Sequence, residues 1–258
     1  MTCGGAGRGW DVRRFSELAS TNDWLLAQAR AGAGAGTVAV ADHQSAGKGR
    51  LGRRWEAPPG RSLLVSVLLR PVAPPGALFA VTAALALAAV EGCAAVAGVE
   101  PGIKWPNDLL IGEEKVAGIL AESDPAAPGG RPGSTAVVAG LGCNLDWGDL
   151  PGATCLAAHA GRPVDRDALL DALLDALAPR VAMLDSEDGR RRTLGELRAR
   201  CVTLGRRVQL ATAGAGTLTG TATAIDADGR LVVTTRAGDV GVAAGDVVHL
   251  RPLLEPPR

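Results

Sequence analysis

The stretch Gln44-Ser-Ala-Gly-Lys-Gly-Arg-Leu-Gly-Arg-Arg-Trp55 decides how this chain is read. It lies between two strand-like apolar runs, residues 37–42 and 62–69. Gly47, Gly49 and Gly52 alternate with Lys48, Arg50, Arg53 and Arg54, and Trp55 closes the loop. Glycine lets a backbone turn sharply and approach a ligand. Successive N–H groups in such a turn form a concave anion site, which cations reinforce with charge-assisted bonds. Gly47-Lys-Gly-Arg-Leu-Gly52 matches the letters of the dinucleotide fingerprint. The fingerprint also needs a strand directly before it, a helix directly after and an acid about 20 residues on, and all three fail here. A phosphate-binding P-loop needs Ser or Thr after Gly-Lys, and Gly49 stands there instead. The loop is an anion-binding device of another kind.

Working outward, residues 1–13 read as a flexible, Gly-rich N-terminus without the apolar run of a signal peptide. Residues 18–30 form a helix whose start signal is Ser20-Thr21-Asn22, with Trp24, Leu25 and Ala29 at helical spacing. A helix N-terminus is itself an anion site. Residues 77–98 form an Ala-rich helix that carries Glu91 and two glycines, which suits burial in a protein better than a membrane span. Residues 102–122 read as strand, break at Pro106-Asn107-Asp108, strand, turn at 112–114 and strand, with Lys104 entering the break and Lys115 opening the return. Residues 135–145 are a strand that ends in Gly140-Leu-Gly-Cys-Asn144, whose glycines admit a ligand against the backbone. An amphipathic helix over 164–184 is capped by Asp165, and a further helix spans 190–201. From 206 to 250, short strands and turns predict a small antiparallel barrel.

Composition narrows the functional classes. The 258 residues carry 27 cationic and 27 anionic side chains, so no global field draws nucleic acid or an anionic membrane. Five cysteines without paired spacing argue against a disulfide framework or a zinc site and point to a reducing cytoplasm. Only Lys48, Lys104 and Lys115 are lysines; all other positive charge is arginine. All three fall in the segments singled out above, where a compact ammonium and a planar guanidinium are not interchangeable.

Taken in order, Ser20-Thr-Asn22, Gln44 with the 47–55 loop, Lys104-Trp-Pro-Asn-Asp108 with Lys115-Val-Ala-Gly118 and Gly140-Leu-Gly-Cys-Asn144 resemble the motifs of the biotin protein ligases, over roughly residues 14–251. The resemblance implies an α+β fold: a mixed, mostly antiparallel sheet flanked by helices, like the class II synthetases, over 14–203, and an SH3-like barrel over 204–258. It implies an ATP-dependent enzyme that makes biotinyl-5′-AMP and passes biotin to a lysine of a carboxylase carrier domain. By the same resemblance Ser20, Thr21, Asn22 and Gln44 hold biotin's ureido ring. Lys48, Gly49 and Arg50 cover its carboxylate, with Gly118 in the pocket wall. Arg50, Arg53, Trp55, Lys104, Asn107 and Asn144 meet ATP, and Lys115 sits between carboxylate and α-phosphate. Lys115 and Arg50 are the catalytic expectations, and Asp108 is the candidate for positioning Mg²⁺ or Lys104. Two departures stand out. Lys48 occupies a position that is usually arginine, and no DNA-binding helix-turn-helix precedes the loop, so neither DNA nor a membrane is an expected partner. A lipoate ligase on the same fold and a non-catalytic biotin-binding regulator are the competing readings.

Overall fold

The computed structural model describes residues 9–74, 79–148, 152–212, 216–243 and 246–249. Seven strands form one sheet: β1 (Asp11–Leu18), β2 (Thr37–Gln44), β3 (Ser62–Leu69), β4 (Gly102–Lys104), β5 (Asp108–Ile111), β6 (Glu114–Asp124) and β7 (Ala136–Asn144). Their spatial order is β1-β2-β3-β7-β6-β5-β4, with β1 and β2 parallel and every other pair antiparallel. This is the mixed, mostly antiparallel sheet that the sequence predicts. The expectation of a flexible N-terminus fails at residues 11–13, which open β1. Asp11 N–H bonds to Gly36 O, and the ladder to β2 begins there. Residues 1–8 lie outside the described residues.

Period-2 alternation in the central strands decides where everything else goes. In β3, Leu63, Val65, Val67 and Leu69 face the main core. In β7, Val137, Ala139, Leu141 and Cys143 do the same. On that side lies α2 (Phe79–Ala97), long and apolar enough to cross a membrane by length and composition, yet with 67% of its apolar window buried inside the protein. It packs against α4 (Arg166–Met183), whose Leu169, Leu173 and Leu177 are buried, and against α5 (Glu187–Arg200). The last helix begins three residues earlier than its apolar pattern indicates, because Ser186 caps it by accepting from Gly189 N–H. A short helix that the sequence reading missed, α3 (Leu156–Ala160), also touches α2. On the opposite face sits α1 (Thr21–Arg30), whose Leu25 and Ala29 cover Ala39, Leu68, Ala136 and Val138. Further along β3 and β7, the even-numbered Ser66, Gly140, Gly142 and Asn144 share this second face by the same alternation.

Five antiparallel strands follow, β8 (Arg207–Thr212), β9 (Gly216–Ile225), β10 (Leu231–Thr235), β11 (Gly238–Val242) and β12 (Asp246–His249), in the order β11-β10-β9-β8-β12. The turn predicted at 226–229 is present. Those at 213–216 and 244–246 fall partly outside the described residues. The small sheet is not tethered by the chain alone. Trp105, 1% exposed, donates its Nε1–H to Gly229 O at 2.9 Å, and Trp105 N–H donates to Thr203 Oγ1 at 3.1 Å. Arg198 donates to Ile225 O and Asp226 O.

Glu91, the charge in an otherwise apolar helix, is explained by Arg180 of α4. Arg180 is 8% exposed and bridges Glu91 of α2 and Glu196 of α5, bonding the latter at 2.7 Å. Those two carboxylates hold the guanidinium charged, against the burial that opposes it. Replacing the arginine leaves two half-buried carboxylates close together without a counter-charge. Arg180→Met is expected to lower unfolding free energy by about 1–3 kcal/mol. A urea midpoint equal to that of the parent would show the three-helix bridge to be idle.

Candidate active site

A cavity of about 280 Å³ opens on the α1 face of the sheet, above the even-numbered residues of β7. Its floor has no side chains where it is deepest. Gly118 of β6 and Gly142 of β7 are register partners. A methyl group on Gly142 would lie 2.4 Å from Trp55 Cε2, and one on Gly118 would lie 3.0 Å from Trp55 Cζ3. The indole therefore rests on both backbones. A methyl on Gly140 would meet Asn22 Oδ1 at 2.3 Å. These close approaches give a physical reason for glycine in the Gly140-Leu-Gly142 run. Cys143 points to the other face. There its hydrogen bond with Cys93 and its burial push the thiol up, so it is no nucleophile for this cavity.

One group of lining side chains is polar and itself uncharged: Ser20, Thr21, Asn22 and Gln44. Ser20 caps α1 by accepting from Asp23 N–H at 3.3 Å, and Ser20, Thr21 and Asn22 are buried. Thr21 donates to Gln44 Oε1 from both its backbone N–H (2.8 Å) and its hydroxyl (3.0 Å). Ser66 Oγ lies 2.7 Å from Thr21 Oγ1 and 2.6 Å from Asn22 Oδ1. Asn22 Nδ2 donates to Leu120 O and to Glu122 Oε2. Ser66 is a participant that the sequence reading did not find. Its signal was available: a serine in the middle of the apolar run Ser62–Leu69, fully buried.

The other group is cationic. Arg50 Nη1 donates to Asn107 Oδ1 at 3.0 Å, and Asn107 Nδ2 donates to Ile119 O at 2.7 Å. Lys48, Gly49, Arg53 and Arg54 join the wall from the basic loop. Between the two groups stands Lys115. Its Nζ pairs with Asp108 Oδ1 at 2.6 Å and lies 5.3 Å from the centroid of the Trp55 ring. Lys115 is held by a segment absent from the motif list: Thr154 N–H bonds to Lys115 O, and Lys115 forms a parallel bridge with Ala153. The same segment anchors Asn144, whose Nδ2 donates to Thr154 O at 2.9 Å. Nothing in residues 152–155 alone signals this, because their contribution is backbone.

Three of the expected residues make contacts that the sequence reading does not anticipate. Lys104 is not part of the cavity lining; it ends the edge strand β4, paired through its backbone with Asp108. Asp108 is partnered with Lys115 and not with Lys104. Lys48, expected over a ligand carboxylate, spends its ammonium on Asp23 of α1. Every predicted site residue except Lys104 lines this one cavity. Buried polar atoms without a protein partner cluster here as well: Trp55 Nε1, Asn144 Oδ1 and Trp147 Nε1, all on residues that line the cavity. Unsatisfied buried groups are costly unless something else completes them.

The model of the biotin/lipoate A/B protein ligase family matches residues 16–144, and that of the biotin protein ligase C-terminal domain matches residues 203–250. A biotin–[acetyl-CoA-carboxylase] ligase of Mycobacterium tuberculosis is 37% identical over 256 residues, covering 96% of this chain and 92% of the relative. A ligase of the same description from Paracoccus denitrificans is 37% identical over 240 residues, covering 88% and 96%. Among solved structures, the biotin protein ligase from Aquifex aeolicus in complex with biotin and ATP superposes with a TM-score of 0.78 at 26% identity, over 94% of this chain and 99% of that one. The chain therefore belongs to the biotin protein ligases of the biotin/lipoate A/B protein ligase family.

Proposed function

We propose that this enzyme joins biotin to AMP at the expense of ATP and then transfers biotin to a lysine of a carboxylase carrier domain in a reducing cytoplasm. One observation carries the reading: a single cavity has a neutral polar end and a cationic end, with Lys115 between them. The difficulty of the reaction is repulsion between a carboxylate and a polyphosphate. Fixed cations offset it most where charge shifts during transfer. Lys115 is positioned to meet both anions, and Asp108 holds its ammonium in place. Arg50, braced by Asn107, and Arg53 face the nucleotide end, with Asn144 beside them. Mg²⁺ arrives as the counter-ion of ATP. Among the described residues no cluster of three or more metal-ligating side chains exists, and such an ion would be bound through one or two carboxylates together with the phosphates. Asp108 and Glu56 are the carboxylates in the lining that fit such an ion.

The neutral end selects the acid. Thr21 Oγ1, Asn22 Oδ1, Gln44 Oε1 and Ser66 Oγ crowd together, four side-chain oxygens sharing two hydroxyl protons and the Thr21 N–H. Such an acceptor-rich corner suits the N–H donors of a ureido ring. A dithiolane ring has none, which is the argument against lipoate. The division into a catalytic unit over 14–203 and a C-terminal unit over 204–258 belongs to the same proposal, with β1 added to the first.

The test is direct. Incubated with ATP, Mg²⁺ and either acid, the protein is expected to release pyrophosphate with biotin and not with lipoate; the reverse preference would overturn the assignment. Lys115→Ala is expected to slow biotinyl-AMP formation by roughly 10²–10³-fold with the circular dichroism spectrum unchanged. Adenylation at near the parent rate would remove Lys115 from the chemistry. Gly142→Ala places a methyl where Trp55 now lies. Its KM for biotin is expected to rise roughly tenfold, about 1.4 kcal/mol, and an unchanged KM would show that the indole yields freely.

A further inference from the structure

The basic loop is a small hairpin, bonded to the segment before β5 through Arg50 and Asn107 and to α1 through Lys48 near its base. Gly49 N–H bonds to Arg53 O at 2.7 Å, Trp55 N–H bonds to Gly47 O at 3.0 Å, and Lys48 and Arg54 form an antiparallel bridge. Residues 47–55 therefore form one hydrogen-bonded ribbon. Lys48 Nζ leaves this ribbon to pair with Asp23 in the first turn of α1. Asp23 directly follows Ser20, Thr21 and Asn22, all in the cavity wall, but is not itself part of the lining. Its backbone N–H is fixed by Ser20, so its carboxylate projects from a held position. The Asp23 hydrogen bond holds the Lys48 ammonium above the ordinary lysine range, and Glu122, itself bonded to Asn22, adds to the field.

We infer that Asp23 is a positioning residue, which latches the 47–55 hairpin over the cavity through Lys48 and so sets how long an activated intermediate is kept from water. The inference rests on the adenylating function proposed above. Mixed anhydrides survive in an enzyme only while water is excluded. A hairpin carrying Arg50, Arg53 and Trp55 is the cover that excludes it. The latch is weak by construction. Its side chains are 43% and 45% exposed, so water competes for both ends. A pair of that kind shifts an open–closed equilibrium by roughly two- to five-fold, enough to hold an intermediate and still release it to a carrier lysine.

The experiment uses the full chain as Asp23→Asn, Lys48→Met and the double variant, supplied with biotin and ATP·Mg²⁺ but no carrier. Asp23→Asn is expected to form biotinyl-AMP within two-fold of the parent rate, while releasing it roughly two- to five-fold faster. Backbone amides of 47–55 should exchange faster with deuterium in the ligand-free protein. Both effects should vanish when Asp23→Asn is made in the Lys48→Met background. If Asp23 only stabilises the helix terminus, the melting temperature falls but release and exchange stay as in the parent, or change additively with Lys48→Met; either result overturns the latch. Failure of the parent to make any adenylate would overturn the function instead, and the exchange measurement would still decide the latch.

Discussion

Everything in the site depends on one place where the chain has no side chains. Gly118 and Gly142 stand opposite each other across β6 and β7. The space left over them is where an indole now lies, within the cavity to which the proposed function assigns both substrates. A β-sheet normally covers its face with side chains at every second position. Leaving those positions empty forfeits packing and weakens a strand. Here the loss is offset on the reverse face, where Val137, Ala139, Leu141 and Cys143 of the same strand are buried against α2. The strand is strong on one side so that it can be bare on the other.

The same division explains the helices. α1 covers only the far half of its face, where Leu25 and Ala29 sit over Leu68 and Val138. It then stops at Ser20, and the sheet beyond its N-terminus is left open. The Ser20 cap, a contact of about 1 kcal/mol, thus fixes where packing ends and recognition begins. The helix N-terminus also presents Thr21 N–H to Gln44, so the two motifs that the sequence separates by 23 residues become one corner.

Legibility in the sequence followed periodicity and backbone need. The strands around the basic loop, the long apolar helix and the glycines of 140–142 were readable because each leaves a pattern: alternation, a 3.6-residue repeat, or a residue type demanded by close approach. The cationic loop was readable because glycine and charge rarely alternate so densely without a reason. Partnership was not. Asp108 and Lys115 meet only because β5 and β6 pair in one register, with an irregularity at Leu109/Leu110. Lys48 and Asp23 meet because the loop folds back over α1. Residues 152–155 act through their backbone, to which side-chain identity is nearly silent. β1 was missed because its pattern of exposed and half-buried residues, with no fully buried position, looks like a terminus. It is an edge strand, and only its pairing to β2 reveals it.

The C-terminal sheet bears on the site through Trp105. Its ring is buried and its Nε1–H is bonded to Gly229 O in the turn between β9 and β10. Truncating a buried aromatic of this size costs about 3–5 kcal/mol, so the small sheet and the 104–108 segment are not independent. Asn107 and Asp108 follow Trp105 within three residues, and they brace Arg50 and Lys115 respectively. Arg50 and Lys115 are therefore each braced by a residue within three positions of a tryptophan packed against the C-terminal unit. That arrangement connects the small sheet to the cavity, although no described residue of the sheet is in the cavity lining. Trp105 is thus packed against the small sheet one residue before the turn that leads to Asn107 and Asp108, and in electrostatic catalysis the aim of a charge matters as much as its sign.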